Sequence, residues 1–425
     1  MKGRYVFIII NSFFVLTNSY SQDLKSELDI IAKKNDLMGA SLVVFCGEEI
    51  VQNLSMGTSD YTRDIKMTID SKYRIASISK TITAIAIMQL MEQGQLNLDQ
   101  DISIILGYKV QNPNAPGNPI TARMLMSHTS TLFDGPTYNK FLDATYNDKP
   151  IPSLSEILTP SGRFYTNEQF SNALPGTYFH YSNLNYVILG TLIERVTGLR
   201  FDVYCKKYIS DPLGIDASFN TDDLTNIDEL AVIYRKLEGN WTPQTDNFQG
   251  IKANPKKIEG YIPGTNGGHF GPQGGFRCSA QDLAKIFMTL MNEGNYGNVR
   301  LLSSESCNEM FAQEWKYDSK NGDNYNGLFL SWGLGIHRIS SSPIESSIFP
   351  NSELMLGHSG EAYGLVSNAY FDTAHKFGFI FLNNGVGIGY HKNEESKFYT
   401  LEQEIFKALQ NVRTLKSCLL SSNGK

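Results

Sequence analysis

Two polar residues, Ser77 and Lys80, open a stretch that is otherwise almost wholly apolar: R-I-A-S-I-S-K-T-I-T-A-I-A-I-M-Q-L-M-E-Q-G, from Arg74 to Gly94. Residues at i and i+3 share a helix face, with Cβ atoms roughly 5–6 Å apart. Ser77 and Lys80 therefore present a hydroxyl and an amine side by side. In water that amine is a poor base at neutral pH, its pKa lying near ~10.4. Burial against the apolar helix and positive neighbours favour its neutral form. A neutral Lys80 could take the Ser77 proton, and Ser77 could then attack a carbonyl. The spacing alone is weak, since Ser422 and Lys425 share it. The context lifts the first pair: it stands at the N-terminal end of a buried helix, where unpaired N–H groups and a partial positive charge collect.

Two other groups could complete such a site. Tyr181-Ser182-Asn183 lies on a turn directly before an apolar helix, unlike the similar Tyr165-Thr166-Asn167 and Tyr296-Gly297-Asn298. A phenol beside Ser77 could pass a proton to a leaving group if a charged Lys80 lowered its pKa. Asn183 could donate to a substrate carbonyl and hold Lys80, or simply cap its helix. His358-Ser359-Gly360 precedes an expected strand at Tyr363. A glycine on an edge strand lets a substrate backbone approach closely. The N–H groups of Glu361 and Ser77 could then form an oxyanion hole, each donor worth roughly 2.7–4 kcal/mol to a transition state.

These groups need a frame. From Ile78 to Met91 the apolar residues go round the whole helical wheel, which predicts a helix buried on every side and stopped at Gly94. Asp23 to Leu37 reads as a short amphipathic helix, with strands at Ser41–Phe45, Ile50–Met56 and around Tyr73–Ile75. Further helices are expected over Ala122–His128, over Leu184–Thr197 before Gly198, and from Ser279 with Asp282 as its capping box to Asn292. Thr129–Gly176 is polar with little strand pattern, and Phe248–Phe276 is a Gly-, Pro- and Asn-rich loop that should line something. Late strands are expected at Trp332–Ile339, Tyr363–Phe371 and Phe377–Asn383, then a helix over Phe398–Val412. Strands at both ends with a helical middle predict one sheet built from the two termini and a large, mostly helical insertion.

Composition bounds the rest. The 425 residues are 41% hydrophobic and 19% charged, enough for a sizeable core. A net charge of −6 without a long basic run argues against nucleic acid as a partner. Lys2 and Arg4, the apolar run Val6–Leu16 and the small polar residues to Ser21 have the order of a signal peptide over residues 1–21. The expected location is periplasmic or secreted, with no stable membrane insertion once that segment is removed. Cys46, Cys205, Cys278, Cys307 and Cys418 lack C-x-x-C spacing and read mostly as small buried hydrophobes. The His residues have no ligand spacing, so neither a metal nor another cofactor is expected.

Taken together, the three groups resemble the serine β-lactamase and penicillin-binding-protein superfamily, in particular its class C β-lactamase and D-Ala-D-Ala carboxypeptidase branch. The matching residues are Ser77-Ile78-Ser79-Lys80, Tyr181-Ser182-Asn183 and His358-Ser359-Gly360, with similar flanks at Leu125–Leu132 and Pro272–Leu283. The resemblance runs from about Leu24 to Val412. It implies an α+β fold of the β-lactamase/transpeptidase type, an antiparallel sheet flanked by helices with the site in a cleft beside a helical region. The implied layout is a sheet layer over about 22–95 and 328–412, an insertion over about 96–327 and a tail over 413–425. It implies Ser77 as nucleophile, Lys80 as base and Tyr181 as proton relay. Asn183, His358, Ser359, Gly360 and Glu361 would bind substrate, and His128 would be structural. The implied activity is an acyl-enzyme hydrolase for a small-molecule or peptide substrate, first a D-amino-acid peptide such as a peptidoglycan stem peptide, then an ester or, weakly, a β-lactam. A non-catalytic cell-wall binder on the same fold is the alternative of another class. Three departures stand out: His358 replaces a Lys of class C β-lactamases, Glu361 replaces a small or hydroxyl residue, and Thr131 replaces a Gly. A carboxylate at Glu361 is expected to repel a substrate carboxylate; from His358 and Glu361 together, β-lactam turnover is expected to be poor and a neutral or amino-bearing ester or peptide preferred.

Overall fold

The computed structural model describes residues 24–252, 258–350, 352–388 and 390–411. The expected signal peptide and the tail lie outside the described residues. Helix α1 covers 24–35. It leads into strands β1 (Gly39–Cys46), β2 (Glu49–Asp60), β3 (Ile65–Lys66) and β4 (Lys72–Arg74). A 3-10 turn, Ala76–Ile78, then feeds helix α2 (Ser79–Glu92). The middle of the chain supplies α3 (Tyr138–Asn147), α4 (Asn183–Thr197), the short β5 (Arg277–Ser279) and α5 (Ala280–Met291). Strands β6 (Trp315–Lys316), β7 (Ser331–Trp332), β8 (His337–Ser340), β9 (Leu354–Ala362), β10 (Leu365–Asp372) and β11 (Phe377–Asn383) precede α6 (Thr400–Asn411).

One nine-stranded sheet runs β6-β7-β8-β9-β10-β11-β1-β2-β3. Its two halves meet where β1 pairs antiparallel with β11, Ala40 opposite Asn383 and Cys46 opposite Phe377. The strand alternation sorts the core into two layers. Leu42, Val44, Phe379 and Phe381 face Leu24, Leu28, Leu401 and Ile405 of the terminal helices. Val43, Phe45, Ile380 and Leu382 join the larger cluster with α2, α4 and α5. Helix α2 is buried from Ser79 through Leu90, as its uninterrupted apolar wheel requires. The sheet layer starts earlier than the expected residue 328, because β6 carries it back to Trp315.

Two late strands differ from expectation. The segment Trp332–Ile339 is not continuous: Gly333 to Gly335 break it into β7 and β8. At Gly335, with φ +70°, an added Cβ would lie 2.3 Å from Ala84 Cβ, so this turn sits directly on α2. His358-Ser359-Gly360 lies within β9 rather than ahead of a strand, and Tyr363 forms the following turn with φ +56°. Two glycines with His and Ser dilute the apolar alternation that marks a strand.

Candidate active site

Ser77 sits on the 3-10 turn, between Ala76 at φ +47° and the start of α2. A left-handed alanine is strained backbone of the kind that clusters at functional sites. One turn deeper, the fully buried Lys80 places Nζ 3.1 Å from Ser77 Oγ, 2.8 Å from Asn183 Oδ1 and 2.9 Å from the Gln273 carbonyl. Burial pulls its pKa down to about 7, opposed by the nearby Asp134 carboxylate. The neutral amine then fits its surroundings atom for atom. Its two N–H groups donate to Asn183 Oδ1 and the Gln273 carbonyl, and its lone pair is left for the Ser77 hydroxyl proton.

Tyr181 completes this group. Its phenol is close enough to Ser77 to be influenced by that hydroxyl, and Lys80 Nζ lies 4.8 Å from the ring centroid. The ring stacks on His128 at 4.4 Å and on Phe329 at 5.5 Å. His128 in turn accepts the Ser182 N–H at Nδ1, 3.1 Å away. Burial pushes the Tyr181 pKa up, with the Ser77 hydroxyl opposing it. The expected lowering by a charged Lys80 is therefore corrected: the phenol stays protonated, and Lys80 is the group near neutrality.

Asp134, whose role residue type and spacing did not reveal, orients Asn183. Its Oδ1 accepts Ser182 Oγ–H and the Leu184 N–H, each at 2.9 Å, and its Oδ2 accepts Asn183 Nδ2–H at 2.7 Å. Ser182 is the N-cap residue of α4 but its side chain makes no cap bond, so Asp134 caps the helix from outside. The same contacts turn Asn183 Oδ1 toward Lys80. Gln273, whose carbonyl holds Lys80, comes from the expected lining loop Phe248–Phe276. A backbone carbonyl leaves no mark on residue type. For Asp134 the available signal is its position, three residues after Thr131 and the S-H-T-S run.

Strand β9 forms the opposite wall. Only Leu354–Gly357 pair with β8, so the edge from His358 to Ala362 is free on that side. The segment leading into the 3-10 turn packs on the face of β9 that Gly360 shares with His358: a Cβ on Gly360 would meet the Ile75 carbonyl at 2.6 Å. The opposite edge of Val366 is occupied by Asn383, whose side-chain amide contacts both its N–H and its C=O. Glu361 faces Val366 in register, so its N–H and C=O point the other way, toward the free edge. There the Glu361 N–H can join the Ser77 N–H around a developing oxyanion. Gly360→Ala is expected to cut turnover about 100-fold or more by displacing this wall, with an unchanged circular-dichroism spectrum.

Side chains alternate across β9. His358 is buried and turned toward Tyr181, ring centroids 6.0 Å apart. Its Nδ1 lies 2.6 Å from the Ser359 carbonyl and so carries the proton, leaving Nε2 as a bare acceptor. Burial, with Lys80 adding to it, holds its pKa down at about 3. Where a lysine would supply charge, this chain supplies none. Ser359 and Glu361 point to the other face. Ser359 Oγ meets Tyr370 OH at 2.9 Å and Asn368 Nδ2 at 3.0 Å; Glu361 Oε2 accepts from Tyr399 OH at 2.9 Å. The expected repulsion by the Glu361 carboxylate is thus corrected, since strand alternation takes that side chain out of the cleft.

Residues 28–396 match the beta-lactamase family model. The chain belongs to the beta-lactamase family. Protein flp of Staphylococcus aureus (strain MRSA252) is 29% identical over 198 residues, 47% of this chain and 38% of that protein, so the match spans under two fifths of that relative. A putative D-alanyl-D-alanine carboxypeptidase of Escherichia coli O157:H7 is 24% identical over 302 residues, 67% of either chain. EstCE1, a hydrolase with promiscuous acyltransferase activity, superimposes with TM-score 0.69 at 19% identity over 93% of this chain and 99% of its own. The D-amino acid amidase of Ochrobactrum anthropi SV3 gives 0.63 at 21% over 93% and 99%. These two likenesses show a shared fold. One family departure has a local cause: Thr131 takes φ +71°, a glycine's conformation, and its Oγ1 is held by Asn112 Nδ2 at 3.0 Å. Among the described residues, no helix of this beta-lactamase-family chain is long and apolar enough to cross a membrane.

Proposed function

We propose that the chain hydrolyses a D-amino-acid peptide or amide through an acyl-enzyme on Ser77, with an uncharged leaving group preferred. The carrying observation is the Lys80 amine, both of whose N–H groups have acceptors while its lone pair faces Ser77 Oγ. Ser77 Oγ attacks the carbonyl carbon as its proton passes to Lys80. The carbonyl oxygen becomes an oxyanion held by the Ser77 and Glu361 N–H groups. Tyr181 gives its proton to the departing nitrogen and is reprotonated from Lys80. Water then attacks the Ser77 ester, with Lys80 taking its proton, and Oγ leaves as the hydroxyl.

The leaving-group preference comes from the Tyr181 end of the cleft. Tyr325, Phe329 and Trp332 surround that phenol, and His358 is neutral. A D-Ala-D-Ala carboxypeptidase, whose leaving group carries a carboxylate, is the reading next in order; an esterase follows. The test is labelling with a fluorescent penicillin and a fluorophosphonate, beside turnover of N-acetyl-D-alanine p-nitroanilide, its L isomer and nitrocefin. The D-anilide should be cleaved in preference to the L, both probes should label, and nitrocefin should turn over slowly. Efficient nitrocefin hydrolysis would overturn the substrate class, and labelling by the fluorophosphonate alone would favour an ester.

A further inference from the structure

We infer that the acyl half of the substrate carries a carboxylate, which Arg74 reads from a seat on the Tyr363 ring. The inference rests on the Ser77 reading, because that reading gives the cleft a direction. The leaving group departs beside Tyr181, which packs against His358 at the start of the free β9 edge. The acyl half must then lie toward the other end of that edge, at Ala362 and Tyr363.

Arg74 is fixed there. Its Cζ lies 5.0 Å from the Tyr363 centroid, and its Nε donates to the Gly274 carbonyl at 2.9 Å. Gly274 follows Gln273, whose carbonyl holds Lys80, so the guanidinium is anchored one residue from the anchor of the base. Among the described residues no carboxylate pairs with Arg74. Its neighbour across the β4–β5 ladder is different: Arg277 meets Asp246 at 2.8 Å. The two terminal nitrogens of Arg74 are therefore open to a ligand, on a side chain whose planar fork matches a carboxylate.

The surrounding groups are donors too. The Tyr138 hydroxyl is buried with no partner. The Tyr146 hydroxyl accepts from Gln273 Nε2 at 3.5 Å, which leaves its own O–H to give. Both rings come from α3, and Tyr146 feels the charge of Arg74. The carboxylates in reach are occupied elsewhere: Asp134 by three donors at the start of α4, Glu361 by Tyr399. A guanidinium and the Tyr146 phenol beside it, with the Asp134 charge acting on Tyr138 instead, make a subsite for a carboxylate rather than an amine.

The full-length protein tests this with two p-nitrophenyl esters of equal chain length, the mono-ester of adipate and the hexanoate ester. They share a leaving group and differ by a terminal carboxylate in place of a methyl. Esters are cleaved whether the natural substrate is a peptide or an ester, so the comparison does not depend on that choice. The kcat/KM ratio of adipate to hexanoate should be ~10 or more in the wild type and fall as salt is added. Arg74→Gln should lower that ratio about 10-fold, and Arg74→Lys should restore part of it. A wild-type ratio at or below one overturns the inference even if the variants do not fold, as does a ratio that Arg74→Gln leaves unmoved. Ester hydrolysis that survives Ser77→Ala would instead overturn the Ser77 reading itself.

Discussion

Ser77→Ala is expected to lower kcat by about 10⁴–10⁶-fold and to abolish fluorophosphonate labelling, leaving the fold intact. The size follows from what would remain. Without Oγ there is no acyl-enzyme, and Lys80, Tyr181 and the N–H groups of residues 77 and 361 could only assist direct attack by water. The site would still bind substrate, so KM should move far less than kcat. The small expected change in stability follows from the packing: Ser77 is only half-buried, and the contacts that fix the turn belong to Ala76 and Ile78. Labelling at undiminished strength in Ser77→Ala would mean that another hydroxyl is the nucleophile, and the acyl-enzyme could no longer be placed on Ser77.

Lys80→Met is expected to reduce acylation about 10²–10⁴-fold, the usual contribution of a positioned base. Its stronger signature is in the pH profile. Lys80 is charged below about pH 7 and neutral above it, so the wild-type kcat/KM should rise with pH through about 7 and then level off. His358, held at about 3, adds nothing to that limb. Lys80→Met should lose the limb. Lys80→Arg should be equally inactive, because a guanidinium stays protonated across the range. Asp134→Asn should move the limb to lower pH, since Asp134 favours the charged amine. The sign for stability is set by proton binding. A lysine whose folded pKa lies below its unfolded value leaves the native state with fewer bound protons between about pH 7 and 10, so its contribution to stability rises with pH across that window. Removing the amine at pH 7 removes that cost and leaves the Gln273 carbonyl and Asn183 Oδ1 without their donor. Thermal unfolding of Lys80→Met at pH 7 and pH 9 should therefore differ less than that of the wild type.

The placement of the serine–lysine pair was legible where residue type alone carries it. A serine and a lysine one turn apart at the head of an all-apolar helix say where a charged side chain will be desolvated, and the structure buries Lys80 completely. The sheet from both chain ends was legible too, because Ser41–Phe45 and Phe377–Asn383 are strongly β-branched and aromatic, and they pair. The contacts that tune the site were not legible. Asp134 acts across 49 residues on Asn183, and Gln273 acts through a carbonyl that any residue would possess. The face taken by Glu361 depends on the register of β9, which a one-residue slip would invert. With His358-Ser359-Gly360 read as lying ahead of a strand, that parity could not be assigned. The helix α3 was missed inside the polar stretch Thr129–Gly176, although Tyr138, Phe141 and Thr145 recur along its buried face.

The seam between β1 and β11 also bears on synthesis. The hairpin of β1 and β2 emerges from the ribosome with one side of β1 unmatched, and its partner is more than 300 residues away. At roughly 5–20 residues per second, that flank waits on the order of 15–70 s for Phe377–Asn383. Until then Leu42, Val43, Val44 and Phe45 form a greasy ribbon able to dock on any neighbouring chain. A nascent polypeptide of this design is expected to aggregate if the ribosome stalls before Phe377.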